Sequence, residues 1–162
     1  MTDIDIGVGA AVRSYTFDCN YTYINKTNPA NATGTITSAE LYCVSELKDV
    51  EVATFYVVSG NNLSTRDSAY IGTVAGGSKQ TFSELSIDVH IGDYFGIYSG
   101  SQSGTYYIDI SGGDGAWYIS GDQIPCENLE FGFLDSRLFS LYGTGTTEVG
   151  EEANAIFMGS NF

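Results

Sequence analysis

The sequence predicts an all-β protein: a two-sheet antiparallel β-sandwich of about ten short strands. Three observations predict it. Short apolar runs, several alternating with a period of two, are cut along the whole chain by Gly, Asn, Asp and Ser. Aromatic residues make up 14% of the chain, with 12 Tyr and 9 Phe against one Trp, and such residues suit a pleated, half-buried surface. Only Pro29 and Pro125 lack a backbone donor, so nearly every residue can join a ladder. No segment shows a convincing helical period, and no repeat of roughly 20–50 residues is visible.

The elements follow in order. Residues 2–11 alternate Ile4 and Ile6 with Asp3 and Asp5, which reads as a short edge strand or an N-terminal arm over residues 1–12. Residues 14–17 and 21–25 are short strands, and residues 26–34 form a polar loop holding Pro29. Residues 35–44 alternate, with a slip expected near Ser38. Residues 50–58 form the strongest strand, central and covered on both faces. Residues 45–49 read as one short turn, and Gly60-Asn61-Asn62 closes the strong strand. Residues 68–74 come next. Residues 80–89 alternate through Phe82, Ile87 and Val89, with a slip before Leu85. The Ile91-Gly92-Asp93 turn then reverses the chain into a strand at residues 94–98. Residues 105–110, 116–119, 129–134 and 138–142 complete the set. This makes one domain over residues 1–142. Residues 143–162 read as a Gly/Thr linker and an apolar C-terminal docking tail, because Ile156, Phe157, Met158 and Phe162 are not what a frayed terminus carries.

The chain has 162 residues, 43% of them hydrophobic, which suits one domain with a real core. Six Lys and Arg face 20 Asp and Glu, a net charge of −14. That balance repels phosphate backbones and anionic membranes, so neither nucleic acid nor membrane is an expected partner. The start of the chain is acidic and lacks the basic region and apolar run of a secretory signal. Cys19, Cys43 and Cys126 are an odd set, expected as reduced thiols. The four N-x-[ST] triplets, at Asn20, Asn25, Asn31 and Asn62, are then chance matches.

Chemistry is sparse. His90 is the sole histidine, and no nucleophile elbow accompanies it. Three scattered Cys lack zinc spacing, and there is no P-loop or dinucleotide fingerprint. With 20 acids, some carboxylates fall close together, yet none is singled out as a glycosidase pair. The expectation is a non-enzymatic protein without a cofactor. Two constellations stay open. Asp109, Asp114 and Asp122 bracket a Gly-rich loop and offer the hard oxygens that Ca²⁺ takes, although Asp and Gly also serve simple turns. Tyr106, Tyr118 and Trp117, exposed along one surface, would stack on sugar rings. Alternation, however, sends Trp117 and Tyr118 to opposite faces.

Several pieces carry a resemblance. They are Thr2-Asp-Ile-Asp-Ile-Gly, Asn28-Pro-Ala-Asn, Val52-Ala-Thr-Phe, Val57-Val-Ser-Gly-Asn-Asn-Leu-Ser-Thr-Arg-Asp and Gly77-Ser-Lys-Gln-Thr-Phe. The hairpin at residues 82–98, Tyr118-Ile-Ser-Gly-Asp-Gln-Ile-Pro-Cys and Leu141-Tyr-Gly-Thr-Gly complete them. Together they resemble small jelly-roll virion structural proteins of tailed bacteriophages and metagenomic phage genes. The resemblance implies a jelly-roll and a virion setting, as a head decoration, fibre or tail accessory protein. It assigns no catalytic residue. Its expected partners are other virion proteins and further copies of the chain, docked through Ile156, Phe157, Met158 and Phe162, with Ile4 and Ile6 pairing a neighbouring edge. A carbohydrate-binding module and a subunit of an extracellular filament are the alternatives.

Overall fold

A computed structural model describes residues 3–100 and 104–148. The strands are β1 (Asp3–Val8), β2 (Tyr15–Phe17), β3 (Tyr21–Asn25), β4 (Gly34–Tyr42), β5 (Leu47–Ser59), β6 (Asn62–Val74), β7 (Lys79–Phe82), β8 (Ile87–Val89), β9 (Tyr94–Tyr98), β10 (Tyr106–Asp109), β11 (Ala116–Ser120), β12 (Leu129–Glu130), β13 (Gly132–Leu134), β14 (Leu138–Phe139) and β15 (Leu141–Thr147). No helix occurs among the described residues.

Eight strand positions form a jelly-roll. One sheet runs β1-β15-β4, with β7 and β8 side by side on the far edge of β4. The other contains β6-β5-β9-β3. If β7 and β8 count as one broken strand, these sheets read 1-8-3-6 and 5-4-7-2 in chain order, the double Greek key of a jelly-roll. Residues 99–140 are an insertion between the seventh and eighth strands. Its β11 and β13 widen the second sheet beyond β3, while β12 adds to β6. Its β10 and β14 join β2 in a small third sheet.

Alternation builds the core. Val50 and Val52 of β5, Tyr23 of β3, and Phe95 and Ile97 of β9 face Ile4, Ile6, Ile36, Leu41 and Leu141 of the opposite sheet. Intervening residues of the second sheet point away. Ile24, Ala53, Phe55, Leu63 and Trp117 make a separate cluster, roofed by Ile124 and Phe131 of the insertion. Lys48 and Asp49 at the start of β5 are exposed, and the strand is covered on both faces, as expected, from Val52 up to Phe55. Beyond it Tyr56, Val57 and Val58 are 37%, 39% and 47% exposed.

Several boundaries differ from the sequence reading. Residues 62–67, read as loop, continue β6, because Gly60-Asn61 is a two-residue hairpin loop with Ser59 paired to Asn62. Gly60 has φ +58° while Asn61 is not positive, the II′ pattern that tight hairpins favour. Residues 47–49 belong to β5 rather than to a turn. Residues 143–147, read as linker, continue β15, which lies between β1 and β4. The domain therefore runs past residue 142 to at least Thr147. The slip expected near Ser38 is present: Thr144 pairs Ser38, but Gly145 pairs Ile36.

Candidate functional site

The turn at residues 90–93 organises one end of the sandwich. Asp93 is 2% exposed. Its carboxylate accepts from Arg66 Nε at 2.5 Å and Nη2 at 3.0 Å, and from the His90 N–H at 2.8 Å. The Asp93 carbonyl accepts from the Ala30 N–H, while the Gly92 N–H donates to the Ala30 carbonyl. The Asp93 hydrogen bond raises the Arg66 guanidinium above its ordinary value. That guanidinium also lies 4.6 Å from the centre of the Tyr56 ring, a cation–π distance. Next to Tyr56 is a cleft of about 380 Å³ lined by Tyr56, Ser64, Thr65, Pro125, Cys126 and Glu127. Thr65 and Cys126 hold its floor together: the Cys126 N–H donates to Thr65 Oγ1 at 3.0 Å, and the Thr65 N–H donates to the Cys126 carbonyl. The peptide bond preceding Pro125 is cis.

The outermost residue of the turn, Ile91, is 68% exposed. With Tyr56, Val57 and Val58 it accounts for four of the nine exposed large apolar side chains described. They share an end of the fold, since Phe55 pairs Tyr94 directly after the turn.

No protein-family model matches this chain, and no curated protein does either. The functional reading therefore rests on geometry and on where the structure puts the residues that the sequence singled out.

The sugar platform is not formed. Trp117 is 2% exposed, packed edge-on against Tyr94 and tilted against Phe133, and its Nε1–H donates to Asn61 Oδ1 at the hairpin tip. Tyr106 is 1% exposed. Its hydroxyl donates to Ser99 Oγ, and burial pushes the phenol upward. Tyr118 is half-buried against the main core, on the opposite face from Trp117. The reason is the insertion: residues 121–131 roof the sheet face that the platform needed. The lone indole gives a direct check. Tryptophan emission should be blue-shifted and insensitive to iodide, with no change on adding sugars. Exposed-indole emission quenched by iodide would contradict this burial.

The calcium candidates are not brought together. Asp109 accepts from Arg13 Nη1 at 3.0 Å and from the Ser14 N–H at 3.3 Å. Asp122 caps the Ile124 N–H at 3.0 Å, and the Asp114 N–H is held by Thr27 Oγ1. Among the described residues, no three His, Cys, Asp or Glu side chains are grouped to hold a metal ion.

Ile4 and Ile6 are fully buried and dock nothing outside the fold. The edge of β1 is occupied as well. The Asp5 N–H donates to Asn31 Oδ1 and the Gly7 N–H to the Asn28 carbonyl. The Asp3 and Gly7 carbonyls accept from the Asn31 and Asn28 side-chain amides. Asn28 also bonds the Asp5 carboxylate. Tyr142 donates to the same carboxylate at 2.7 Å, and burial, then that bond, push its phenol up to about 12. Asn28-Pro-Ala-Asn is thus an edge cap that blocks pairing with another strand. Ile156, Phe157, Met158 and Phe162 lie outside the described residues.

Proposed function

We propose that this chain is a non-enzymatic structural protein of a phage virion, a jelly-roll displayed on the particle as a head decoration, fibre or tail accessory. One observation carries the reading. A jelly-roll with its N-terminal edge capped is followed, past the last strand, by a segment bearing Ile156, Phe157, Met158 and Phe162. With its β1 edge closed, the fold leaves assembly to other surfaces, and an apolar terminal segment is a recurrent means of it. The resemblance to phage jelly-roll proteins points the same way. Net charge of −14 suits a displayed, dispersed module and protein rather than nucleic-acid partners. In this reading the partners are capsid or tail proteins and further copies of the chain.

The test compares the full chain with one ending at Glu148. Truncation at residue 143 would instead cut β15. Light scattering at matched concentration should show the full chain assembling and the truncated chain as a folded monomer. Peptides of the chain should be recovered from purified particles. Assembly that survives truncation, or absence from particles, overturns the proposal.

A further inference from the structure

The chain leaves the sandwich at the end that carries the apolar surface. Thr147 pairs Gly34, and Gly34 pairs Val89. Val89 leads into the turn, where the Ile91 N–H is held by Thr33 Oγ1. Asp93 then reaches Arg66, which stacks on Tyr56 at the cleft. From Thr147 to Val89 is therefore two strand spacings of about 5 Å each, and the turn, the Arg66 side chain and the Tyr56 ring complete the path to the cleft.

The segment that follows carries apolar residues that match this surface. The eight-residue step from Glu148 to Ile156 spans at most about 28 Å when extended. Ile91, Tyr56, Val57, Val58 and Pro125 are the exposed apolar residues at this end. We propose that residues 153–162 seat in the Tyr56–Cys126 cleft across the 90–93 turn. The inference rests on the reading that the tail is an assembly element, and it names the receptor. Since exit and seat share one end, two copies meeting at that end can exchange tails symmetrically. Such an exchange closes on itself instead of growing into a filament.

Cys126 lines the seat, which makes it a native reporter. In the full chain carrying Cys19→Ser, the substitution Phe157→Cys should give a disulfide to Cys126 under mild diamide oxidation. Cys43 does not compete, because it is fully buried and burial pushes its thiol up to about 11. The product is read by peptide mapping and on a non-reducing gel. A monomer-sized or dimer-sized product joining Cys126 to the thiol introduced at position 157 supports the seat; the dimer share, rising with concentration, reports exchange. Ile91→Asp and Val58→Asp should slow the reaction about tenfold, the factor that ~1.4 kcal/mol of lost apolar contact corresponds to. Tyr15→Asp, exposed on the β2 sheet at the opposite end of β4, should not. No Cys126 product, or slowing by Tyr15→Asp equal to that by Ile91→Asp, overturns the seat. Tail-dependent assembly without the product removes the seat and leaves the structural reading standing. A monomer-sized product without assembly does the reverse.

Discussion

Gly145→Ala should destabilise the fold by about 3 kcal/mol, at the upper end of overpacking costs. A Cβ at Gly145 would lie 1.9 Å from the Thr35 carbonyl oxygen and 2.8 Å from the Ile36 Cα. Both are backbone atoms of the neighbouring strand, so no rotamer change relieves the clash. Either β15 separates from β4 at the bulge, or the ladder breaks. Gly143→Ala should cost less, about 1–3 kcal/mol. Its Cβ meets Phe95 Cε2 at 2.7 Å and Ile6 Cγ2 at 2.9 Å, side-chain atoms that can yield a little inside a packed core. Gly9→Ala is the control: nothing lies within 4 Å of its Cβ and its φ is not positive, so it should stay within about 0.5 kcal/mol of the parent. Urea unfolding followed by Trp117 emission measures all three. A Gly145→Ala midpoint equal to that of Gly9→Ala would mean that this segment is the linker its composition suggests.

That composition shows where sequence reading stops. Glycine is frequent both where the chain must stay loose and where something else needs the space. Gly143-Thr144-Gly145 is spelled identically in either case, and only Phe95, Ile6 and Thr35, distant in sequence, decide it. The opposite holds for β3 and β9. Their alternation is flanked by polar and turn residues, so Tyr21–Asn25 and Tyr94–Tyr98 are legible to the residue. Local pattern also separates Trp117 from Tyr118 by face. It does not reveal that Ile124 and Phe131 cover the Trp117 side, since these stand in loop-like sequence. Asn28 and Asn31 read as polar loop because their partners on β1 lie 21 to 28 residues away. The cleft was missed for a similar reason: Tyr56 and Cys126 belong to different periodic runs, and only the hairpin and the insertion bring them together.

Arg66 and Asp93 are 27 residues apart with no pattern linking them, yet their pair carries the second large effect. Arg66→Met should cost about 3–5 kcal/mol, the range for breaking a buried pair by removing one partner. Met keeps apolar bulk beside Tyr56, so the loss reports charge rather than volume. The cost is expected to be asymmetric. The Asp93 side chain is 2% exposed and that of Arg66 22%. Without Arg66, a carboxylate stays inside the fold with one backbone N–H from His90 as its remaining partner. Without the Asp93 charge, the guanidinium can turn to water. Asp93→Asn should therefore cost about 1–3 kcal/mol, since the amide oxygen still accepts from His90. The double variant should cost less than the sum of the two, the signature of a shared interaction. Urea midpoints for the four proteins of this cycle decide the matter. If Arg66→Met falls below about 1 kcal/mol, the pair behaves as a surface salt bridge. The turn would then be held by its backbone bonds to Ala30 and by the Thr33 hydroxyl, and the Asp93 carboxylate would have found water that its burial denies it.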